Sequence, residues 1–262
     1  MKVATNGFET NYVVEGPDGA PWVTFANSLV TSLEMWDAQA RTLAGRYRVL
    51  RYDMRGHGKS GVPTAPYNIA DLAGDAVALW DALGVDRTHW VGLSLGGMVG
   101  IHLAANHPRR LRSLVASDCR ADANDAYANV FVQRIKNTRE QGMAGMVEPT
   151  LQRFFTPNFA ANNVPTIEKF RTMIRDTPAE GHIGCCEAIR VLAEGANLPR
   201  LKVPAMFIGG EHDIGAPPEI MRAMSAATPG SEYVMLNGAG HISNVEKPEA
   251  FLAEIEPFLA AH

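Results

Sequence analysis

The sequence predicts an α/β architecture: a mostly parallel sheet with helices on both faces and an inserted helical cap. Three observations point to it. Short apolar runs alternate with segments of helical periodicity through the first part of the chain. Ser94, framed by Gly92, Gly96 and Gly97, stands where one such run gives way to a helix-like segment. Residues 120–200 hold helical stretches with several Asn, Pro and Met and no convincing strand.

In chain order, Trp22-Val23-Thr24-Phe25-Ala26 is the first expected strand, followed by Tyr47-Arg48-Val49-Leu50-Arg51-Tyr52 and Thr88-His89-Trp90-Val91-Gly92-Leu93. The first and last are apolar enough to lie inside a parallel sheet. Between the second and third, Ile69, Leu72, Ala73, Ala76, Trp80 and Leu83 recur at helical spacing behind the cap-like Asn68. Strand, helix and strand in that order imply a right-handed crossover. A helix is expected from Met98 to about Asn106 and a strand at Leu114-Val115-Ala116. The strand pattern resumes at Ala205-Met206-Phe207-Ile208-Gly209 and at Tyr233-Val234-Met235-Leu236, and a helix from Pro248 to about Leu259 closes it. The core is therefore expected to comprise residues 1–119 and 201–262, with residues 120–200 inserted as a helical lid. An insertion after a strand's carboxyl end sits over the crevice where open parallel sheets bind ligands.

Composition narrows the function. At 262 residues, 46% hydrophobic and 20% charged, the chain can bury a sizeable core, which excludes disordered and fibrous classes. The 24 Lys and Arg against 28 Asp and Glu leave a net charge of −4 with no like-charge block. That balance argues against nucleic-acid and membrane-surface partners, while leaving room for a small anionic substrate held by a few arginines. Cys119, Cys185 and Cys186 are odd in number and two are adjacent, so neither a disulfide framework nor a metal knuckle can be built from them. The N-terminal residues lack a signal-peptide apolar stretch, and no run approaches the about 18 apolar residues that span a bilayer. These features predict a cytoplasmic protein, with a homodimer left open.

The chemistry is expected at Ser94. A serine on a sharp strand-to-helix turn needs glycines around it because the backbone is strained and its neighbours approach closely. Serine is a weak nucleophile at neutral pH and requires a base oriented by a carboxylate. Of the eight histidines, His241 follows the last strand in a loop opened by Asn237-Gly238-Ala239-Gly240, which topology carries to the carboxyl edge of the sheet. His57, His102, His107 and His212 have plainer places in a turn, on a helix face, at a helix end and in a loop. For the carboxylate, Asp213 projects after Phe207-Ile208-Gly209-Gly210, and the order Ser94, Asp213, His241 is nucleophile, acid, base. Asp118, after the Leu114-Val115-Ala116 strand, is the rival acid. The backbone amides of Leu29 and Leu95 are expected to hold the oxyanion, Leu95 at the positive end of the following helix. Gly58-Lys59-Ser60 ends like a phosphate-binding loop, but Asp53 stands where glycine is required. No zinc-type histidine spacing is present, so no metal is expected.

Together the elbow, Asp53-Met54-Arg55-Gly56-His57-Gly58-Lys59-Ser60, the Gly210-Glu211-His212-Asp213 loop and Gly240-His241 resemble the α/β-hydrolase superfamily across essentially the whole chain. Within it, Asn27-Ser28-Leu29, Met35-Trp36, Gly184-Cys185-Cys186-Glu187-Ala188 and His241-Ile242-Ser243-Asn244-Val245-Glu246 are similar to 3-oxoadipate enol-lactonases of aromatic catabolism. Val30 stands where that family usually has glycine, and Phe131 where its cap carries tryptophan. The resemblance implies hydrolysis of a small carboxylate-bearing lactone, with Asn27, Ser28, Phe131 and Arg134 near the substrate and no cofactor. A substrate carboxylate needs a cap cation; Arg134, Arg139, Arg153, Arg171, Arg175 and Arg190 are the candidates. The same triad also serves carboxylesterases and hydrolases of carbon–carbon bonds, and the fold also serves small-molecule receptors that do not turn over.

Overall fold

The computed structural model describes residues 1–262. In chain order the strands and α-helices begin with β1 (Lys2–Thr5), β2 (Phe8–Glu15), β3 (Trp22–Ala26), α1 (Asp37–Leu43), β4 (Arg48–Tyr52), α2 (Ile69–Leu83), β5 (Thr88–Leu93), α3 (Leu95–Asn106) and β6 (Leu111–Ser117). An all-helical stretch follows, with α4 (Asp125–Gln141), α5 (Val147–Phe154), α6 (Pro157–Asn162), α7 (Val164–Asp176) and α8 (Ala179–Arg190). The chain returns to the sheet with β7 (Ala205–Gly210), α9 (Pro218–Ala226), β8 (Glu232–Leu236), α10 (Ser243–Glu246) and α11 (Pro248–Ala261).

The eight strands form one sheet in the order β1-β2-β4-β3-β5-β6-β7-β8. β1 and β2 pair antiparallel, as do β2 and β4, and every pairing from β4 across to β8 is parallel. The chain moves one way from β3 to β4 and the other way from β5 onward, so the direction switches between β3 and β5. Crevices at such a switch, outside the carboxyl ends of the strands, are where open α/β sheets place ligands. Ser28 follows β3 and Ser94 follows β5, and both therefore sit at that point.

β5 is buried along its whole length, as expected for a strand covered on both faces. α2 shows how the covering is built. Asn68 accepts the Asp71 N–H at 2.9 Å and Asp71 reciprocates with the Asn68 N–H at 2.9 Å, a capping box, and Gly84 at φ 68° ends the helix. Its apolar stripe carries Trp80 onto the sheet, where the indole N–H reaches Thr24 Oγ1 at 3.1 Å and the ring meets Trp90 edge-on at 5.8 Å. Truncating either buried indole to alanine is a change of about 3–5 kcal/mol.

The expected strands and helices are present, with shifts at their ends: α3 starts directly at Leu95 and β6 at Leu111. The β1–β2 hairpin lies outside the expected pattern. Its strands are only partly buried and mix polar with apolar residues, so they carry little period-two signal.

One hydrophobic cluster extends from the sheet into the inserted helices through Phe131, Phe154, Phe170 and Ile189. At one seam the contact is backbone on backbone. A Cβ placed on Gly181 of α8 would lie 2.4 Å from Gly56 Cα, and one on Gly56 would lie 2.4 Å from Gly181 Cα. Elsewhere Lys169 of α7 reaches Asp37 at 2.6 Å, a surface pair of modest worth. No helix is long and apolar enough to cross a membrane.

Candidate active site

Ser94 occupies the junction of β5 and α3 with φ 56° and ψ −112°. A positive φ on a residue with a side chain costs about 1–3 kcal/mol and persists only where the surroundings impose it. Here they do: a Cβ on Gly92 would meet Gly96 O at 2.1 Å, and one on Gly96 would meet Ala26 O at 2.2 Å. Glycine at both positions lets the turn close against β3. The Ser94 N–H donates to Ser117 O at 2.8 Å, fastening the turn to β6.

His241 lies in the loop between β8 and α10. Its Nδ1 donates to Asp213 Oδ2 at 2.8 Å, and both residues are buried, at 4% and 2% exposure. That bond fixes the tautomer and leaves Nε2 free for a proton from the nucleophile. The Phe154 ring stacks on the imidazole at 5.7 Å between centroids. Burial opposes ionisation of Asp213, but the His241 imidazole and the N–H groups of Gly215 and Ala216 outweigh it and hold the carboxyl below its ordinary value.

Asp118 makes no bond to His241. Its Oδ1 accepts the Gly210 N–H at 2.8 Å, and its Oδ2 accepts the hydroxyls of Ser117 at 2.6 Å and of Ser243. Burial first, and the Asp213 charge second, push this carboxyl well above its ordinary value.

A narrow cavity, with only about 20 Å³ of room for the centre of a water-sized sphere, brings core and inserted helices together. Ser28, Leu29, Ser94 and His241 line it from the core, and Tyr127, Phe131, Arg134, Arg153, Phe154 and Ile189 from above. The Ser28 hydroxyl is enclosed without a partner, which leaves it available to a ligand. Leu95 opens α3, where the first N–H groups of a helix have no intrahelical acceptor. Asn27 is a correction to the sequence expectation. It does not line the cavity; its carboxamide donates to Ser28 O at 3.0 Å and Thr31 O at 2.8 Å and accepts the Met54 N–H, shaping the Ser28–Leu29 loop from beneath. Val30 in that loop has φ 57°, a conformation that favours glycine and is rare for a β-branched residue.

The six candidate arginines separate cleanly. Arg171, Arg175 and Arg190 pair with Glu148, Asp176 and Glu187, and Arg139 lies in a different groove with Lys136 and Glu140. Arg134 and Arg153 line the cavity and neither has a carboxylate partner. Arg134 Nη2 donates to Thr150 Oγ1 at 3.0 Å, while its Nε is enclosed and unpaired. Burial lowers the Arg134 guanidinium from its ordinary value. Beneath it, His182 Nε2 meets Cys186 Sγ at 3.2 Å and His182 Nδ1 meets Thr138 Oγ1 at 2.9 Å. Burial pushes the Cys186 thiol up to about 12, so no thiolate balances the arginine at neutral pH. The cavity is thus electropositive beside a free hydroxyl, a buried imidazole and Ser94. Tyr127 and Ile189 carry no sequence signal as pocket residues, since aromatic and aliphatic side chains at helical spacing read as core. No group of three or more His, Cys, Asp or Glu side chains is arranged to hold a metal ion.

Residues 21–248 match the family model described as alpha/beta hydrolase fold. The chain is 33% identical over 246 residues to 3-oxoadipate enol-lactonase 2 of Acinetobacter baylyi, covering 94% of this chain and 91% of that relative. It superposes on the crystal structure of the enol-lactonase from Burkholderia xenovorans LB400 with a TM-score of 0.96 and 37% identity, covering 99% of this chain and 100% of that one. A malate-bound thermophilic esterase from Thermogutta terrifontis superposes with a TM-score of 0.93 and 28% identity, covering 100% of this chain and 98% of the other.

Proposed function

The chain belongs to the alpha/beta hydrolase fold family and is a hydrolase related to enol-lactonases and esterases; from that premise we propose that it opens a small carboxylate-bearing lactone of the 3-oxoadipate enol-lactone type through a serine acyl-enzyme. Ser94, His241 and Asp213 act as nucleophile, base and acid. The observation that carries the substrate class is the pair of arginines, Arg134 and Arg153, that line the same cavity as Ser94 and His241 with no carboxylate of their own. Two uncompensated cations in one enclosed space favour an anionic occupant.

In this reading the substrate carboxylate meets Arg134, whose planar fork suits it. Ser94 Oγ attacks the lactone carbonyl while His241 Nε2 takes its proton, and Asp213 stabilises the imidazolium. The amides of Leu29 and Leu95 receive the developing oxyanion; one such donor is worth about 3–4 kcal/mol of barrier. As the acyl C–O bond breaks, the ring oxygen departs as an enolate, takes the proton held by His241 to become the enol, and ketonises afterwards. Water activated by His241 then frees the acyl group as a 3-oxo diacid. Residues 1–119 and 201–262 supply the reacting groups, and residues 120–200 select the substrate.

The likeness to the malate-bound esterase supports a second reading, hydrolysis of an open-chain ester of a small dicarboxylic acid. Measuring kcat/KM on an enol-lactone, a half-ester of a dicarboxylic acid, neutral aryl esters and a vinylogous diketone separates them. The enol-lactone is expected to lead. An inert enol-lactone beside turnover of the half-ester moves the assignment to the second reading.

A further inference from the structure

We propose that Asp118 is a positioning residue that ties the loops carrying Asp213 and His241 to the strand that anchors Ser94; this rests on the triad reading above. The geometry is a three-way node at the end of β6. Ser117 O accepts the Ser94 N–H at 2.8 Å, which holds the nucleophile turn. Asp118 N–H donates to Ile208 O at 2.8 Å and Asp118 Oδ1 accepts the Gly210 N–H at 2.8 Å, three residues before Asp213. Asp118 Oδ2 accepts the hydroxyl of Ser243, two residues after His241, together with that of Ser117 at 2.6 Å. One side chain therefore touches the root of the acid loop and the root of the base loop, while its neighbour in sequence holds the nucleophile.

Two features separate this carboxyl from ordinary packing. Asp118 is completely buried and has φ 49°, one of four positive-φ residues other than glycine in the chain; Val30 in the oxyanion loop and Ser94 itself are two of the others. Strain of about 1–3 kcal/mol at such a residue persists where surrounding contacts enforce it. Asp118 also sits close enough to Asp213 for the two carboxyls to oppose each other's ionisation, and Cys119, Tyr233 and, through Asp213, His241 are the other titratable groups in its field. Burying a second acid beside the first is unfavourable. The three donors it receives, from three different segments, are what that cost secures.

Labelling of Ser94 by a fluorophosphonate tests the proposal without reference to any lactone, because the reaction needs the nucleophile and its base but no substrate pocket. The rate per labelled site is measured against pH for the wild type, Asp118→Ala, Asp118→Asn and Ser243→Ala, with thermal melts alongside. Displacing the acid and base loops by an ångström-scale amount predicts slowing on the order of 10²-fold in Asp118→Ala. Its pH midpoint moves down, since the imidazolium loses part of its support from Asp213. A carboxamide in place of the carboxyl keeps an acceptor for the Gly210 N–H and a polar contact for Ser243, so Asp118→Asn restores most of the rate and the wild-type midpoint. Ser243→Ala slows in the same direction by less, and it carries the test if Asp118→Ala does not fold. Wild-type rates in Asp118→Ala or Ser243→Ala overturn the proposal, as does an Asp118→Asn variant as slow as Asp118→Ala. An unlabelled wild type overturns the triad reading and this inference together, whereas a labelled wild type with indifferent variants overturns this inference alone.

Discussion

Replacing Arg134 by methionine separates recognition from chemistry in a single experiment. The arginine faces the cavity with its Nε enclosed and unpaired and only Thr150 as a side-chain partner. A hydrogen bond to a charged group is worth about 1.5–3 kcal/mol, so its loss predicts a fall in kcat/KM of roughly 10- to 150-fold for a carboxylate-bearing substrate. A neutral aryl ester has nothing to lose there and is expected to react at close to the wild-type rate. Stability is expected to change in the opposite direction. Methionine keeps much of the aliphatic stem while removing a cation that no carboxylate or thiolate balances. Because the residue as a whole is only half-buried, the gain is placed at about 1 kcal/mol, or about 2–4 °C in a thermal melt. Steady-state kinetics on the paired substrates and differential scanning calorimetry read both. An equal loss on the neutral ester, or a lower melting temperature, would refute the assignment of Arg134 as an anion receptor held without a counter-ion.

Ser94→Ala is expected to abolish turnover and covalent labelling while leaving the melt intact; near-normal activity would mean a different nucleophile. Asp213→Asn is expected to lower kcat by about 10⁴-fold through loss of the tautomer-fixing bond, far more than Asp118→Asn, and the reverse ranking would move the acid to β6. Gly96→Ala brings a methyl to 2.2 Å from Ala26 O, so the elbow must shift; a variant with wild-type labelling rate would show that the turn can yield. Asp118 has its folded value raised above the ordinary 3.8, so the stability it contributes is complete below that value and is lost as pH rises through the folded one. The melting temperature of Asp118→Asn relative to wild type should therefore climb from acid toward neutral pH, and a pH-independent difference would contradict the raised carboxyl.

Much of the scaffold was legible because its signals are local. Trp22–Ala26 and Thr88–Leu93 are apolar runs bounded by turns, and Asn68 opens a stripe of apolar residues that could only be a covering helix. The glycines around Ser94 announce a steric problem that the Gly92–Gly96 approach makes concrete. The half-exposed β1–β2 hairpin was silent, since polar residues interleave without a clean alternation. Asp118 and Asp213 look equivalent in sequence, each following a strand; what separates them is where the 211–217 loop carries a carboxylate, which is decided by tertiary contacts such as the Gly215 N–H on Asp213 Oδ1 at 2.6 Å. The cap arginines were equally unresolvable. Only the fold reveals that Arg171, Arg175 and Arg190 already have carboxylate partners while Arg134 and Arg153 do not.

The meeting of Gly56 with Gly181 constrains how a pocket of this kind can diversify. Where bare main chain rests on bare main chain, even a methyl group would act as a wedge, tilting the roof away from the catalytic floor. Novelty in substrate choice is thereby channelled away from α8 at that seam and toward the rims on α4 and α5, where Phe131, Arg134 and Arg153 can be exchanged with no adjustment of the parts that make and break bonds. Specificity becomes a replaceable fitting on a chassis whose unpadded joints set its height.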